Sequence, residues 1–343
     1  MGFNPRASVL CLLLCAGVFS QPALAEKADL NSVLTGWDRD EHADLRGVVV
    51  LQEGQIIAER YYNGETSETL RDVRSAGKSI TALLVGAAMD RGKLGQVSDR
   101  VDKYWPTTSG SAIGDASIDD VLTMRSGLAS FDDDPASPGN EDKLDAATDP
   151  VRFLLKVPRA TPPGTLYRYN SLTAYIAGML VEKATGQDLQ DFARAALFEP
   201  LGVVQWQWGR DDTGHTKGQG NLSLSARDLA KVGQLVLDQG KYQDKQLISA
   251  AWIAAALAPH VSIAEVDHYA DYYGYFWYSK IQVVADREVP VFFASGNGGN
   301  KIYVMPSMNM VVVVTSSAYG HGYGQLRSET ILKAILTAFS RNA

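Results

Sequence analysis

A serine and a lysine lie three residues apart in the segment RSAGKS, which covers residues 74–79. On a helix, residues at this spacing have Cβ atoms about 5–6 Å apart, so the hydroxyl of Ser75 and the amine of Lys78 can meet. Burial near the positive end of a helix lowers the pKa of a lysine, which could then accept the hydroxyl proton and make the serine a nucleophile. The simpler alternative is that Ser75 caps the helix while Lys78 extends into solvent.

Two further segments carry residue types that such chemistry uses. In PPGTLYRYNS, residues 162–171, Tyr169 comes directly before a predicted amphipathic helix. Its phenol could relay a proton there, or the ring could simply pack in the core. In FFASGNGGN, residues 292–300, glycines follow a predicted strand. They permit a close backbone approach to a ligand, with a free amide for an oxyanion, or they form an ordinary hairpin bulge.

Together these segments resemble the serine β-lactamase-related hydrolases. Ser75, Lys78, Tyr169 and the stretch SGNGGN occur in the order and approximate separations of that superfamily. It contains penicillin-binding carboxypeptidases, class C β-lactamases, esterases and hydrolases of the 6-aminohexanoate-dimer type. The segments VLTMRSGL, FARAALFEPLGV and NMVVVVTSS are similar to its usual connecting segments, so the resemblance covers nearly all of the chain after its leader.

The resemblance implies a role for each of these positions. Ser75 would be the nucleophile that forms an acyl-enzyme, and Lys78 would be its general base or part of a shared base. Tyr169 would pass a proton to the leaving group, and the backbone N–H groups of Ser75 and Asn300 would form the oxyanion hole. No cofactor and no metal are implied, because the histidines lack the spacing of metal ligands; they are His42, His215, His260, His268 and His321.

Two departures from the superfamily pattern concern the substrate. Members that act on penicillins or cell-wall peptides usually have Asn where this chain has Ser171, and Lys or His where it has Asn297. A β-lactam carboxylate would therefore lose a charge-assisted hydrogen bond worth about 1.5–3 kcal/mol. We expect a small ester, amide or short peptide with a less charged acyl group, and we expect these substrate-binding residues: Ser171, Asn297, Gly298 and Gly299.

Other functions remain open at this point. The same fold could support β-lactam hydrolysis or D,D-peptidase action on the cell wall. It could also serve as a non-catalytic binding or sensor module of the penicillin-binding type. The presence of Ser75, Lys78 and Tyr169 favours an enzyme, because a binding module does not need a complete proton path.

The elements that position these residues predict an α/β (α+β) fold. The stretch GVVVLQEGQIIAERYY predicts a hairpin that turns at Glu53-Gly54, and SITALLVGAAMDRG predicts a helix directly after Ser75. The C-terminal part returns to strands, VPVFFASG, KIYVMP and MVVVVTSS, and then to a last helix. Strands at both ends with helices between them predict one antiparallel sheet flanked by helices, and an inserted, mostly helical domain.

This pattern predicts a division of the chain into two domains. Residues 26–100 and 270–343 would form a discontinuous sheet domain, and residues 101–269 the mainly helical domain. The active site would lie in the cleft between them. The aromatic stretch YADYYGYFWYSK, with Trp206 and Trp208, could wall an acyl pocket there or could be core packing.

The N-terminus predicts export. Arg6, an apolar stretch over residues 9–19 and the small-x-small sequence Ala23-Leu24-Ala25 are typical of a secretory signal peptide, residues 1–25, cleaved after Ala25. The stretch is too short for a stable membrane span. Both cysteines, Cys11 and Cys15, would leave with it, which excludes a disulfide or a cysteine nucleophile. The net charge of −7 argues against nucleic acid and anionic membranes as partners. We expect a periplasmic or secreted protein without stable membrane insertion.

Overall fold

The computed structural model describes residues 30–340. The predicted signal peptide, its cleavage after Ala25 and both cysteines lie outside the described residues. The strands are β1 (Leu45–Gln52), β2 (Gln55–Tyr61), β3 (Arg71–Asp72), β4 (Gln207–Trp208), β5 (Leu222–Leu224), β6 (Lys241–Tyr242), β7 (Lys245–Gln246), β8 (Val261–Ser262), β9 (Tyr272–Tyr273), β10 (Tyr278–Val284), β11 (Arg287–Gly296), β12 (Asn300–Met305) and β13 (Met310–Ser316).

Helices connect and cover these strands. They are α1 (residues 30–35), α2 (Ala76–Asp90), α3 (Val101–Tyr104), α4 (Ile118–Leu122), α5 (Glu141–Asp145), α6 (Pro150–Leu154), α7 (Ser171–Thr185), α8 (Leu189–Ala193), α9 (Ala226–Leu237), α10 (Ala250–Leu257) and α11 (Tyr323–Ser340). A π-helical turn, Arg194–Phe198, continues α8, and 3₁₀ turns occupy Pro106–Thr108 and Pro306–Met308.

The main sheet has the order β2-β1-β13-β12-β11-β10-β9-β8, and every neighbouring pair is antiparallel. It joins strands from both ends of the chain, which confirms the predicted fold class. The β1–β2 turn lies at Glu53 and Gly54, as predicted, and both have the positive φ of a tight hairpin turn. Two small sheets, β3-β5-β4 and β6-β7, complete the pairing.

Helices cover both faces of this sheet. On β12, Ile302 lies close to Gly233 of α9, whereas the adjacent Tyr303 donates a hydrogen bond to Glu329 of α11. Successive residues of a strand point to opposite faces, so α9 and α11 lie on opposite sides. The central strand β13 is therefore buried along its whole length, which explains its almost uninterrupted apolar sequence.

The helix that begins at Ser75 runs through the interior of the molecule. It packs against β11, α7 and α10, and every residue from Ala76 to Ala88 is buried. A helix surrounded on all sides is apolar all round rather than amphipathic. The sequence predicts the start of this helix correctly. The helix has no exposed face from Ala76 to Ala88, so its residues do not divide into an apolar and a polar side.

The predicted division into domains remains a prediction. The main sheet includes β8, whose residues fall in the segment assigned to the helical domain. A strand of two residues, Val261 and Ser262, carries no alternating pattern by which sequence could identify it. Among residues 30–340, no helix combines the length and the apolar character that crossing a membrane requires.

The aromatic-rich segment belongs mainly to the core. Tyr273, Phe276 and Trp277 are almost fully buried, and Trp208 packs with Phe198. Of the two alternatives that the sequence leaves open, core packing describes these rings. Tyr167 makes an edge contact with Tyr273, which extends the aromatic cluster toward the segment that carries Tyr169.

Candidate active site

Ser75 and Lys78 meet at the first turn of α2. The ammonium of Lys78 donates a hydrogen bond to the Ser75 hydroxyl at 2.8 Å, and the Lys78 side chain is only 2% exposed. Ser75 is the N-cap residue, but its side chain makes no capping hydrogen bond. The alternative in which Ser75 caps the helix and Lys78 extends into solvent is therefore wrong.

A second helix brings Ser171 and Tyr169 to the same lysine. Asn170 caps α7 by accepting a hydrogen bond from the Thr173 N–H, which fixes the residues on either side of it. Ser171 accepts a hydrogen bond from Lys78 at 3.1 Å, and the Lys78 Nζ lies 5.1 Å from the centre of the Tyr169 ring. The structure thus gathers three of the predicted site residues around the buried amine of a fourth, Lys78.

The charge of Lys78 differs from the sequence-based expectation. Burial lowers the pKa of its ammonium, as expected, but the side chain of Tyr169 and the carboxylates of Glu141 and Asp132 raise it. The net direction is upward, so the structure favours a charged Lys78 at neutral pH. The expectation of a neutral lysine fails because the acidic neighbours come from loops far away in sequence, which helix position alone does not reveal.

Asp132, like Glu141, is a charged neighbour of Lys78 that the sequence did not identify. Its Oδ2 accepts a hydrogen bond from the Ser171 N–H at 2.7 Å, and its Oδ1 is buried without a partner among the described residues. Burial, with help from Glu141, raises the pKa of this carboxyl to about 6, although Lys78 and the Ser171 N–H act in the opposite direction. The hydrogen bond from the Ser171 N–H therefore connects the loop that contains Asp132 to the start of α7.

At the end of β11, Gly296 is the glycine in contact with the nucleophile segment. A Cβ atom placed on Gly296 would lie 2.0 Å from the Val73 carbonyl oxygen and 3.1 Å from the Ala76 nitrogen. Only glycine allows the strand to approach so closely. The sequence pattern predicts a role for the neighbouring Gly298 and Gly299 instead, because a run of glycines does not show which one faces the helix.

The three residues after Gly296 lie away from the contact that Gly296 makes with the segment around Ser75. Asn297 is exposed, and its side chain accepts a hydrogen bond from the Gly320 N–H. Gly298 and Gly299 have positive φ and pack against the segment that leads into α11. The structure thus places these predicted substrate-binding residues in the β11–β12 turn.

The predicted oxyanion-hole donors lie on either side of this contact. Among the described residues, none accepts a hydrogen bond from the Ser75 N–H, so this group is free for a ligand. Asn300 is buried opposite Gly296 in the β11–β12 ladder, and its side chain accepts a hydrogen bond from the Ser316 N–H. Its role as the second donor stays a prediction.

The histidines serve in ordinary contacts. His42 stacks on Tyr323, His215 bonds to Glu182, and His260 stacks on Tyr275. In the part of the chain that the structure describes, no group of three or more His, Cys, Asp or Glu side chains is arranged to hold a metal ion.

The resemblance of the sequence implies a serine–lysine pair at the start of a buried helix. Ser75 and Lys78 form such a pair, and their helix lies beside the antiparallel sheet. The model of the family described as Beta-lactamase matches residues 38–335, which is most of the chain. The chain therefore belongs to the Beta-lactamase family. This finding confirms the predicted superfamily.

Relatives of known name include hydrolases with different substrates. The 6-aminohexanoate-dimer hydrolase of Paenarthrobacter ureafaciens is 27% identical over 222 residues, which cover 61% of this chain and 56% of the relative. The Beta-lactamase of Escherichia coli (strain K12) is 26% identical over 198 residues, which cover 57% of this chain and 49% of the relative. The chain thus spans about half the length of the curated relatives it matches.

Solved structures confirm the fold over a larger part of the chain. A family VIII carboxylesterase superposes with a TM-score of 0.71 at 16% sequence identity, covering 93% of this chain and 98% of the carboxylesterase. At this identity the likeness establishes the fold and leaves the substrate open.

Proposed function

We propose that this protein is an exported serine hydrolase that cleaves ester or amide bonds through an acyl-enzyme, with Ser75, Lys78 and Tyr169 as its catalytic residues. The observation that carries this proposal is the buried Lys78 amine at 2.8 Å from the Ser75 hydroxyl. Holding a lysine out of water is unfavourable unless its charge is compensated. The compensating groups here, Tyr169, Glu141 and Asp132, act on the same amine that contacts the Ser75 hydroxyl.

The proposed reaction has two steps. In the first, the Ser75 Oγ attacks the carbonyl carbon, and its proton passes to the Lys78–Tyr169 pair. The bond to the leaving alcohol or amine then breaks, and that proton goes to the departing oxygen or nitrogen. In the second step, water attacks the acyl-enzyme, and its proton returns through the same pair to the Ser75 Oγ. The N–H groups of Ser75 and Asn300 would stabilise the oxyanion in both steps.

Lys78 and Tyr169 would act as one shared base. The Lys78 Nζ lies 5.1 Å from the centre of the Tyr169 ring, so a proton that leaves the Ser75 Oγ can be shared between these two side chains. Because the acidic neighbours favour the Lys78 ammonium, we assign the proton-accepting role in acylation to Tyr169, with Lys78 holding the charge. Tyr169→Phe should then reduce the acylation rate about as strongly as Lys78→Met does. An acylation rate unchanged by Tyr169→Phe would assign the base to Lys78 alone.

The direct test uses a chromogenic ester and the intact enzyme. Release of 4-nitrophenolate from 4-nitrophenyl butyrate should show a burst stoichiometric with enzyme, and mass spectrometry should find the butyryl group on Ser75. Turnover without a Ser75 adduct, and with the Ser75→Ala variant still active, would contradict the proposal.

β-Lactam hydrolysis is the second candidate, because the chain matches a Beta-lactamase over about half of its own length. Rates on nitrocefin and on the 4-nitrophenyl ester separate the two. We expect the ester to be preferred, since Ser171 and Asn297 both depart from the residues that members acting on penicillins usually have. Efficient nitrocefin turnover would reverse this order.

We also propose that the chain is exported to the periplasm or beyond, with removal of residues 1–25. The support for this is the sequence pattern of Arg6, the apolar stretch and Ala23-Leu24-Ala25. N-terminal sequencing of the mature protein should find Glu26 first. A mature protein that keeps Met1 would contradict export by this route.

A further inference from the structure

Arg74, directly before the nucleophile, has a guanidinium that is only partly used by the protein. Its backbone has a φ of 53°, in the left-handed region that is strained for a residue with a Cβ atom. The Arg74 N–H donates to Oδ1 of Asp72 at 2.8 Å, which fixes this conformation. The side chain is 39% exposed.

The guanidinium is held in place on two sides. Its Nε is buried and lies 3.5 Å from Oδ2 of Asp72, while its central carbon lies 4.1 Å from the centre of the Tyr319 ring. Tyr319 is itself fixed, because its hydroxyl donates to the Asp72 carbonyl oxygen at 2.8 Å. One face and one edge of the guanidinium are therefore occupied.

The outer edge is free. Apart from the interaction of the guanidinium with the Tyr319 side chain, no described residue pairs with an Nη group of Arg74, and neither Nη is among the buried polar atoms of residues 30–340 that have no partner. Both Nη groups are thus accessible to solvent. A preorganised guanidinium with two free, parallel donors fits a carboxylate in a bidentate manner.

The Arg74–Tyr319 pair borders the turn by which the sheet approaches Ser75. Tyr319 lies against Gly298 in the β11–β12 turn, and Gly296 at the start of that turn contacts the backbone on both sides of Ser75. The turn is thus bounded by the nucleophile segment on one side and by the Arg74–Tyr319 pair on the other. The guanidinium therefore lies beside the same turn that borders the segment around Ser75.

We infer that Arg74 binds a carboxylate of the substrate and that the enzyme prefers anionic esters or amides. This inference rests on the proposed hydrolase function and names the substrate class for the same site. It replaces the expectation of a less charged acyl group, which considered position 297 alone. The cation is supplied by the residue that precedes the nucleophile.

Two matched ester pairs test the inference on the intact enzyme. In the first, mono-4-nitrophenyl glutarate is compared with the 4-nitrophenyl ester of glutaramic acid, so that the charge sits on the acyl side. In the second pair, 4-acetoxybenzoate is compared with 4-acetoxybenzamide, so that the negative charge is on the leaving group. We expect the wild type to prefer the anionic member of at least one pair by about 10-fold or more in kcat/KM.

The variants assign this preference to Arg74. Arg74→Gln should lower kcat/KM on the preferred anionic ester by about 10- to 100-fold, mainly through KM, and change its neutral partner by less than about 3-fold. Arg74→Lys should keep part of the preference, since it keeps the charge but loses the planar fork. Arg287→Gln removes the same charge from the exposed, opposite end of β11 and should behave like wild type.

The outcomes distinguish the inference from the proposed function. Equal losses on both members of a pair in Arg74→Gln would show a merely structural role and overturn the inference. Ser75-dependent turnover without a charge preference in either pair would also overturn it, while leaving the proposed function intact. Absence of turnover on all four esters by folded wild-type enzyme would remove the proposed function, and the inference with it.

Discussion

The amine nitrogen of Lys78 lies 2.8 Å from the hydroxyl oxygen of Ser75, and both belong to the first turn of one buried helix. Because α2 is enclosed by β11, α7 and α10, neither side chain must be ordered when substrate binds. Such preorganisation reduces the entropic part of an activation barrier. The predictions below follow from this relationship and from its charged surroundings.

Removal of the nucleophile should abolish turnover without unfolding the protein. We expect Ser75→Ala to lower kcat by about 10³-fold or more, since nothing else near the carbonyl carbon can form the acyl-enzyme. Ester hydrolysis measures the rate, and thermal denaturation checks the fold. Ser98→Ala, in an exposed loop, is the matched control. Full activity of Ser75→Ala would exclude Ser75 from the mechanism.

Removal of the buried amine should slow acylation. Lys78→Met keeps the length of the side chain but removes its charge and its hydrogen bonds to Ser75 and Ser171. We expect the burst of 4-nitrophenolate to slow by about 10²- to 10⁴-fold. Lys93→Met, at an exposed lysine just after α2, should leave the burst unchanged. A normal burst in Lys78→Met would require a different base.

The stability of the protein should depend on pH through Asp132. Burial raises the pKa of its carboxyl from 3.8 to about 6. A carboxyl with a raised pKa stabilises the folded state below pH 4, and this contribution is lost as the pH rises through 6. The loss of this contribution should therefore lower the free energy of unfolding by about 2–3 kcal/mol between pH 4 and pH 7.

Asp132→Asn should remove this part of the pH dependence. The amide still offers an oxygen to the Ser171 N–H but carries no charge. Urea denaturation at several pH values measures the effect, and Asp133→Asn, at the exposed neighbour, serves as the control. A wild-type stability profile that is flat from pH 4 to pH 7, or unchanged in Asp132→Asn, would contradict the assigned surroundings of this carboxyl.

The close contact between β11 and the nucleophile segment should not tolerate a side chain. A methyl group on Gly296 would overlap the Val73 carbonyl oxygen, so Gly296→Ala should displace the strand end and destabilise the protein by about 1–3 kcal/mol. We expect a loss of kcat as well, because the same strand end bounds the site. Gly322→Ala, at a glycine with open space around it, is the control. Wild-type stability and kcat in Gly296→Ala would disprove the contact.

The sequence predicted the parts of the site that lie close together along the chain. Ser75 and Lys78 share one turn of a helix, and their contact follows from helical geometry once the helix is identified. Tyr169 could be selected because it precedes a well-capped helix with a clear glycine stop at Gly186. The β1–β2 hairpin was predictable for the same reason, since its turn residues are local.

The remaining features depend on contacts between distant segments. Asp132 meets Ser171 across 39 residues of sequence, from a loop whose composition signals nothing more than a turn-rich segment. Tyr169, Glu141 and Asp132 together raise the pKa of Lys78, so the direction expected from burial at a helix start is wrong. Gly296 rather than Gly298 contacts the segment around Ser75, and this depends on which residue of the turn faces the helix. The position of the Arg74 guanidinium likewise depends on a contact with Tyr319, which is distant in sequence.

The central claim is that the Ser75 hydroxyl is activated by the buried Lys78 acting together with Tyr169. The most direct measurement treats the folded protein and its Lys78→Met variant with a fluorophosphonate probe and maps the adduct by mass spectrometry. We predict a single stoichiometric adduct on Ser75 of the wild type and labelling slowed by at least about 10²-fold in the variant. Labelling at another residue, or equal rates in the two proteins, would contradict the account.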